Sequence, residues 1–303
     1  MARSITLTTG FIALATSLAM SLACATPAFA QQGVIGPLVE PPSAAVREQT
    51  AFDGDFISVG AGAVLSPSYT GSDDYVISPI PVVTGSFGGV QFTPRGAGLS
   101  IDFVPYPVDG VGLVLGVAGR LRSDRAVQIE DEVVESLGEL DRAVELGPVV
   151  GFRLPGVTNP YDSLTVSLSA GWDVAGAHGG MVLEPSVSFA TPLSRALFAS
   201  LSVSSQFGDG EFQDYYFRVT PEQSAATGGE LPVFEPKQGG FTRAGANFLL
   251  GYDLNGNLAD GGLGLIGILG YSRVLGDAKR SPFTSVRGSA DQFIVGGGIG
   301  YTF

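Results

Sequence analysis

Asp291-Gln292-Phe293-Ile294-Val295-Gly296-Gly297-Gly298-Ile299-Gly300-Tyr301-Thr302-Phe303 closes the chain. Its odd positions carry Phe293, Val295, Gly297, Ile299, Tyr301 and Phe303. Its even positions carry Gln292, Ile294, Gly296, Gly298 and Gly300. Successive side chains of a strand point to opposite faces, so this stretch predicts a strand with one apolar, aromatic side and one mostly small side. The chain ends on an aromatic residue of the apolar side.

The same period of two recurs upstream. In 163–174, Leu164, Val166, Leu168, Ala170, Trp172 and Val174 oppose serines, a threonine, a glycine and Asp173. Segments 111–122, 144–153, 196–206 and 243–253 alternate in the same way. Charged residues fall mid-strand on the face opposite the aliphatics: Asp102, Arg120, Arg122, Glu145, Arg153, Asp173, Glu184 and Arg243. Aromatics gather near strand ends, among them Phe56, Phe103, Phe152, Trp172, Tyr252 and Tyr271. Strands of about ten residues with an apolar outer face, a polar inner face and aromatic girdles are those of a membrane-spanning barrel. The expectation is an all-β fold, a transmembrane antiparallel β-barrel of about twelve strands in the bacterial outer membrane. Tyr301 and Phe303 then form the closing-strand signal that the outer-membrane assembly machinery reads. Twelve requires 89–104 to be two strands, divided at Pro94-Arg95-Gly96-Ala97-Gly98, which is turn chemistry. That division puts both chain ends on one side.

Composition agrees. Mean hydropathy is +0.30, yet past the first 30 residues no apolar run approaches the ~20 residues of a spanning helix. Forty-four glycines and 15% charged residues also argue against a helical bundle. The net charge of −13 makes nucleic acid a poor partner, because such binding needs basic surface. At the amino terminus a basic start (Arg3), an apolar run from Ile5 and Ala28-Phe29-Ala30 predict a secretory leader in residues 1–30, cleaved after Ala30. Cys24, the only cysteine, would leave with it. Residues 31–51, with Pro37, Pro41 and Pro42, form an extended periplasmic segment that is either a tether or a passive linker. The barrel is expected over 52–303.

Short turns are expected near 105–110, 155–162, 192–195 and 254–262, with longer polar loops at 66–75, 123–142, 208–239 and 276–290. Barrels of this kind carry short periplasmic turns and long outer loops. Two of the long loops hold recognisable motifs. One is Ser66-Pro67-Ser68-Tyr69-Thr70-Gly71-Ser72-Asp73-Asp74-Tyr75, leading to Pro79-Ile80-Pro81. The other is Tyr215-Tyr216-Phe217-Arg218-Val219-Thr220-Pro221-Glu222-Gln223-Ser224. Together they resemble the MipA/OmpV family of outer-membrane proteins over about 52–303, with Phe217-Arg218 adding a residue before Val219. The resemblance implies a non-enzymatic scaffold for cell-wall synthesis and hydrolysis. The implied partners are a membrane-bound lytic transglycosylase and a bifunctional penicillin-binding protein. Porin-like members imply the alternative of a small-solute or ion pore. The motif residues Ser66, Pro67, Tyr69, Gly71, Ser72, Tyr75, Tyr215, Tyr216, Val219, Pro221, Gln223 and Ser224 are expected to pin the outer loops to the rim, with no ligand assigned.

Catalytic chemistry is thin in the sequence. The single histidine, His178, lies in the glycine-rich turn 175–180 and is expected at a mobile loop tip, where no base is held in position. Gly262-Leu263-Gly264-Leu265-Ile266-Gly267 matches a dinucleotide fingerprint by letter but runs into a strand rather than a helix. Asp73-Asp74 and the acids of 123–142 are expected to be solvated or to meet bridging cations at the lipopolysaccharide surface, and no resident metal or cofactor is expected. The inward charges either pair across a filled lumen or line a narrow aqueous path; both remain open at this point.

Overall fold

Alternation over ten or more residues lets each strand bury backbone on both edges and present one face to lipid and one to the interior. In the computed structural model, which describes residues 50–303 apart from 96 and 108, the strands follow one another round a closed barrel. They are β1 Phe56–Pro67, β2 Tyr75–Phe87, β3 Val90–Pro94, β4 Gly98–Asp102, β5 Gly112–Arg122 and β6 Ala143–Pro155. Then come β7 Ser163–Asp173, β8 Met181–Pro192, β9 Leu197–Gly208, β10 Gly240–Asp253, β11 Gly262–Val274 and β12 Asp291–Thr302. Each pairs antiparallel with the next. The chain's last strand closes on its first, from Ser58↔Thr302 to Leu65↔Val295. The division after Pro94 is present, and twelve strands place Phe56 and Thr302 at the same end. The leader, its cleavage site and the Pro-rich segment up to Gln49 lie outside the described residues.

The outer wall is apolar along its whole length. Ile77, Val83, Leu113, Leu115, Val166, Leu168, Leu201, Val203, Leu269 and Val295 are exposed there. Exposure of so much aliphatic surface is stable only in hydrocarbon. Phe103, Phe152, Tyr252, Tyr301 and Phe303 ring the short-turn end; Trp172, Tyr271 and Phe293 ring the other. No helix among the described residues is long and apolar enough to cross a membrane.

At the long-loop end the structure departs from the expectation of plain polar loops. The loops fold into short helices: α1 Glu132–Glu135, α2 Gly210–Phe217, α3 Pro221–Ala226, α4 Gly276–Arg280 and α5 Pro282–Ser285. Asp209 caps α2 by accepting from the Phe212 N–H, and Asp131 caps α1 by accepting from Val133 and Val134. Thr220 and Gln223 close a reciprocal capping box on α3, with Pro221 in its first turn. Isolated helices this short are unstable in water. They persist because their apolar residues pack into two small cores over the barrel mouth.

Candidate functional site

The first of those cores gathers Tyr69, Ile129, Val134, Val219, Leu231 and Phe283. The second gathers Val182, Phe212, Tyr216, Phe217, Val274 and Ala278. Four loops contribute, so the cap is a single packed layer rather than a set of free loops. Arg125 stitches the two halves. Its guanidinium donates to the Tyr216 carbonyl at 2.7 Å and lies 3.9 Å from the Phe283 ring centre. Burial pushes that guanidinium below its ordinary pKa, although Asp124 and neighbouring tyrosines oppose the shift. Burial likewise pushes the Tyr69 and Tyr216 hydroxyls well up, so both stay neutral.

The first motif fastens the cap to the barrel seam. Gly71 has φ of +97°, a region that favours glycine, and its N–H donates to Gln292 Oε1 at 3.2 Å. Its carbonyl accepts from Ser289 at 2.8 Å, and Ser72 bridges to Gly288. The Tyr75 hydroxyl accepts from the Phe293 N–H, and Thr70 donates to Asp124. In the second motif, Tyr216 lies in the cap core, the Tyr215 hydroxyl accepts from the Asp141 N–H, and Val219 bridges to Phe234. Pro221 and Gln223 build the α3 terminus, and the Ser224 N–H donates to the Thr220 carbonyl. Ser66 and Pro67 end β1 opposite Val76 and Tyr75.

Directly beneath the cap, inward charges of four strands and Gln206 of a fifth form one network. Arg122 Nε lies 2.6 Å from Glu145 Oε1, and Arg120 reaches Glu145 at 3.1 Å and Glu184 at 2.8 Å. Gln206 accepts from both Arg122 and Arg243 at 3.3 Å. The Arg122 guanidinium also sits 4.9 Å from the Phe212 ring centre, joining the network to the cap above it. Arg153 and Asp102 stand apart from this group: Arg153 stacks 4.7 Å from the Tyr106 ring, whose hydroxyl donates to Asp102 at 2.8 Å. Asp173 lies at the rim, where its carboxylate accepts from the N–H groups of Ala175, His178 and Gly179.

His178 corrects the sequence reading. It is not at a mobile tip but is buried, at 5% exposure, in a turn that Asp173 braces by accepting from its N–H groups. Its ring packs 5.2 Å from Phe212 and 5.7 Å from Tyr216. Nδ1 accepts from the Gly180 N–H, and Nε2 lies 3.4 Å from Glu145 Oε1. Both ring nitrogens thus face protein groups, and the ring acts as a spacer between the network and the cap. Glycine spacing gave no sign of this, since the burial comes from α2, thirty residues downstream. Among the described residues, no cluster of three His, Cys, Asp or Glu side chains is placed to hold a metal.

Below the network the lumen is open, with a cavity of about 1810 Å³. Ser167, Ser186, Ser188, Ser202 and Ser204 give it a hydroxyl-rich wall. Its lining takes in Tyr106, Tyr161, Arg195 and Asn257 from the short turns, and no residue of the capping loops. The cavity is therefore a beaker: one end leads out between the short turns, and the other ends on the charged network.

Three solved structures match the chain at low similarity. The Pseudomonas putida toluene transporter TodX is 8% identical, with a TM-score of 0.34, over 82% of this chain and 89% of that one. Pseudomonas aeruginosa OprD is 10% identical, with a TM-score of 0.30, over 86% and 97%. A Pseudomonas aeruginosa FadL homologue is 11% identical, with a TM-score of 0.26, over 83% and 90%. No curated protein sequence matches the chain. The sequence profile described as MltA-interacting protein MipA matches residues 59–303, which is β1 from its fourth residue through β12 and both motif loops. The chain belongs to that family.

Proposed function

We propose that this outer-membrane barrel is a non-conducting scaffold whose short-turn face, turned to the periplasm, docks a lytic transglycosylase of the cell-wall machinery. A bifunctional penicillin-binding protein is the second partner in this reading. The observation that carries it is the blind lumen: a path for solutes would have to cross a cap with two hydrophobic cores and the Arg122–Glu145 network below it. The family's name, MltA-interacting protein, supports the choice of partner.

The short-turn face suits a docking role. The Leu258 N–H donates to the Arg195 carbonyl at 2.6 Å, tying two turns together, and the Ala51 N–H donates to Ala259 at 2.7 Å. Phe52, Val157, Leu193 and Leu254 are exposed around the mouth. A fixed surface with scattered apolar anchors loses little conformational freedom on binding. The test is sedimentation of the full-length protein in detergent with a purified membrane-bound lytic transglycosylase. A salt-resistant complex that Leu193→Asp and Val157→Asp weaken is expected. Independent sedimentation of the two proteins would overturn the reading.

A further inference from the structure

The strand ladder is broken beside β2. Because β3 and β4 are five residues each, β2 pairs with β3 only from Gly85↔Phe92 to Phe87↔Val90. Above that, residues 76–84 of β2 pair with β1 on one side and with no strand on the other, although the Thr84 hydroxyl donates to the Phe92 carbonyl at 3.0 Å at the foot of the gap.

Parity decides which backbone groups face the break. The Phe303 N–H donates to the Ile57 carbonyl, so odd residues of β1 turn toward β12 and even residues toward β2. The even residues of β1 stand opposite even residues of β2: Ser58↔Thr84, Gly60↔Val82, Gly62↔Ile80. The odd residues of β2 therefore aim their backbone groups into the break. They are Ile77, Pro79, Pro81 and Val83. Two of these four lack an N–H, so the edge has lost half of the donors that hydrocarbon would leave unsatisfied. Proline also spoils the edge for adding a strand, whether from a second copy or another protein. The side chains of the same four residues are exposed on the outer face. Such an edge is compatible with acyl chains and not with a β partner.

The lumen reaches the residues on both sides of the break. The cavity lining includes Val82 and Thr84 on one side, and Thr93, Pro94 and Arg95 on the other. Arg95 is poorly satisfied. Its Nη2 reaches only the Ser167 hydroxyl, at 3.4 Å, its Nε is buried without a hydrogen-bond partner, and no carboxylate pairs with it among the described residues. Arg95 leaves the hairpin tip beside the break and carries its guanidinium into the lumen, to Ser167 of β7, where it matches the anionic head of a molecule whose hydrocarbon tail lies in the break. We propose that the break is a lateral portal for an anionic membrane lipid, whose acyl chain crosses between β2 and the β3–β4 hairpin while its headgroup binds Arg95. The portal leads to hydrocarbon rather than to outside water, so it leaves the cap's seal intact.

The test places a reporter in the lumen. Trp172→Phe removes the only tryptophan, which is exposed on the outer wall, and Ser186→Trp puts one on the cavity wall. The full-length protein is reconstituted in vesicles containing phosphatidylglycerol or phosphatidylcholine with brominated acyl chains, at equal mole fraction. Stronger quenching by the brominated phosphatidylglycerol is expected, with that excess lost in Arg95→Gln. Extending the β2–β3 register by two residues would set Val83 opposite Pro94. In a Cys24→Ser background, oxidising a Val83→Cys/Pro94→Cys pair must therefore abolish the quenching, and reduction must restore it. Equal quenching by the two lipids, persistence of the excess in Arg95→Gln, or insensitivity to the cross-link would overturn the proposal. So would the absence of quenching in a protein that keeps its heat-modifiable gel mobility.

Discussion

Arg122 reaches diagonally across the β5–β6 pair to Glu145, the residue opposite Arg120, with Nε 2.6 Å from Oε1, and Arg122 and Glu145 are both buried beneath the cap. Glu145 is the shared anion of this region: it also binds Arg120 and faces His178. Removing one partner of a buried ion pair leaves the other charge uncompensated, which costs about 3–5 kcal/mol. Glu145→Gln is expected to lower the stability of the folded barrel by that order, read as a shift in its denaturant midpoint in lipid vesicles. An unshifted midpoint would mean that the network does not hold the wall together.

Gly71 and Thr284 explain why the first motif carries glycine. A Cβ on Gly71 would lie 2.0 Å from Thr284 Oγ1, and the backbone there has φ of +97°. Gly71→Ala is expected to cost about 1–3 kcal/mol from strain of this kind. The loss should be local, releasing the cap while the wall survives. Limited proteolysis would then cut within 275–290 far faster than in the parent protein, with heat-modifiable mobility kept. Unchanged cleavage would show that the first motif does not fasten the cap.

The turn between β6 and β7 gives a pH dependence. Burial opposes ionisation of Asp162, but the Thr158 hydroxyl and the backbone N–H groups of Thr158, Val157 and Asn159 hold its carboxyl below the usual carboxylate range. A carboxylate with a depressed folded pKa stabilises fully above its unfolded value, about 3.9, and loses that contribution as pH falls through the folded one. The midpoint of thermal unfolding should therefore fall as the medium is acidified below about pH 4. Asp162→Asn should be less stable at neutral pH and lose less on acidification. Parallel curves for the two proteins would remove Asp162 as the cause.

Strands were legible in the sequence because lipid and lumen impose opposite demands on alternate residues. Leu164 to Val174 keep that alternation without a fault, and Phe293 to Phe303 keep it apart from Ile294 and Gly297. Pro94 and the glycines after it likewise marked the division that makes the count even. The cap was written in local signals that are weak singly. Phe212 and Tyr216 are four apart behind the Asp209 cap, and Thr220-Pro221-Glu222-Gln223 is a capping box, yet both stretches sit in what reads as a polar loop. Their burial depends on residues far along the chain, such as Phe283 and Val134, so period alone could not reveal it. His178 was misplaced for the same reason, because its burial comes from helix α2 and not from its own turn. The broken ladder beside β2 did leave a trace, in Pro79 and Pro81, whose meaning needed the register.

A lumen that ends blind beneath the cap should carry no current across the membrane. Single-channel recording of the refolded, leader-free protein in a planar bilayer tests it most directly, with Arg120→Ala beside it. A silent bilayer is expected from protein that still shows heat-modifiable mobility. Stable conductance steps whose size changes in Arg120→Ala would contradict it, by showing an aqueous path through the charged network.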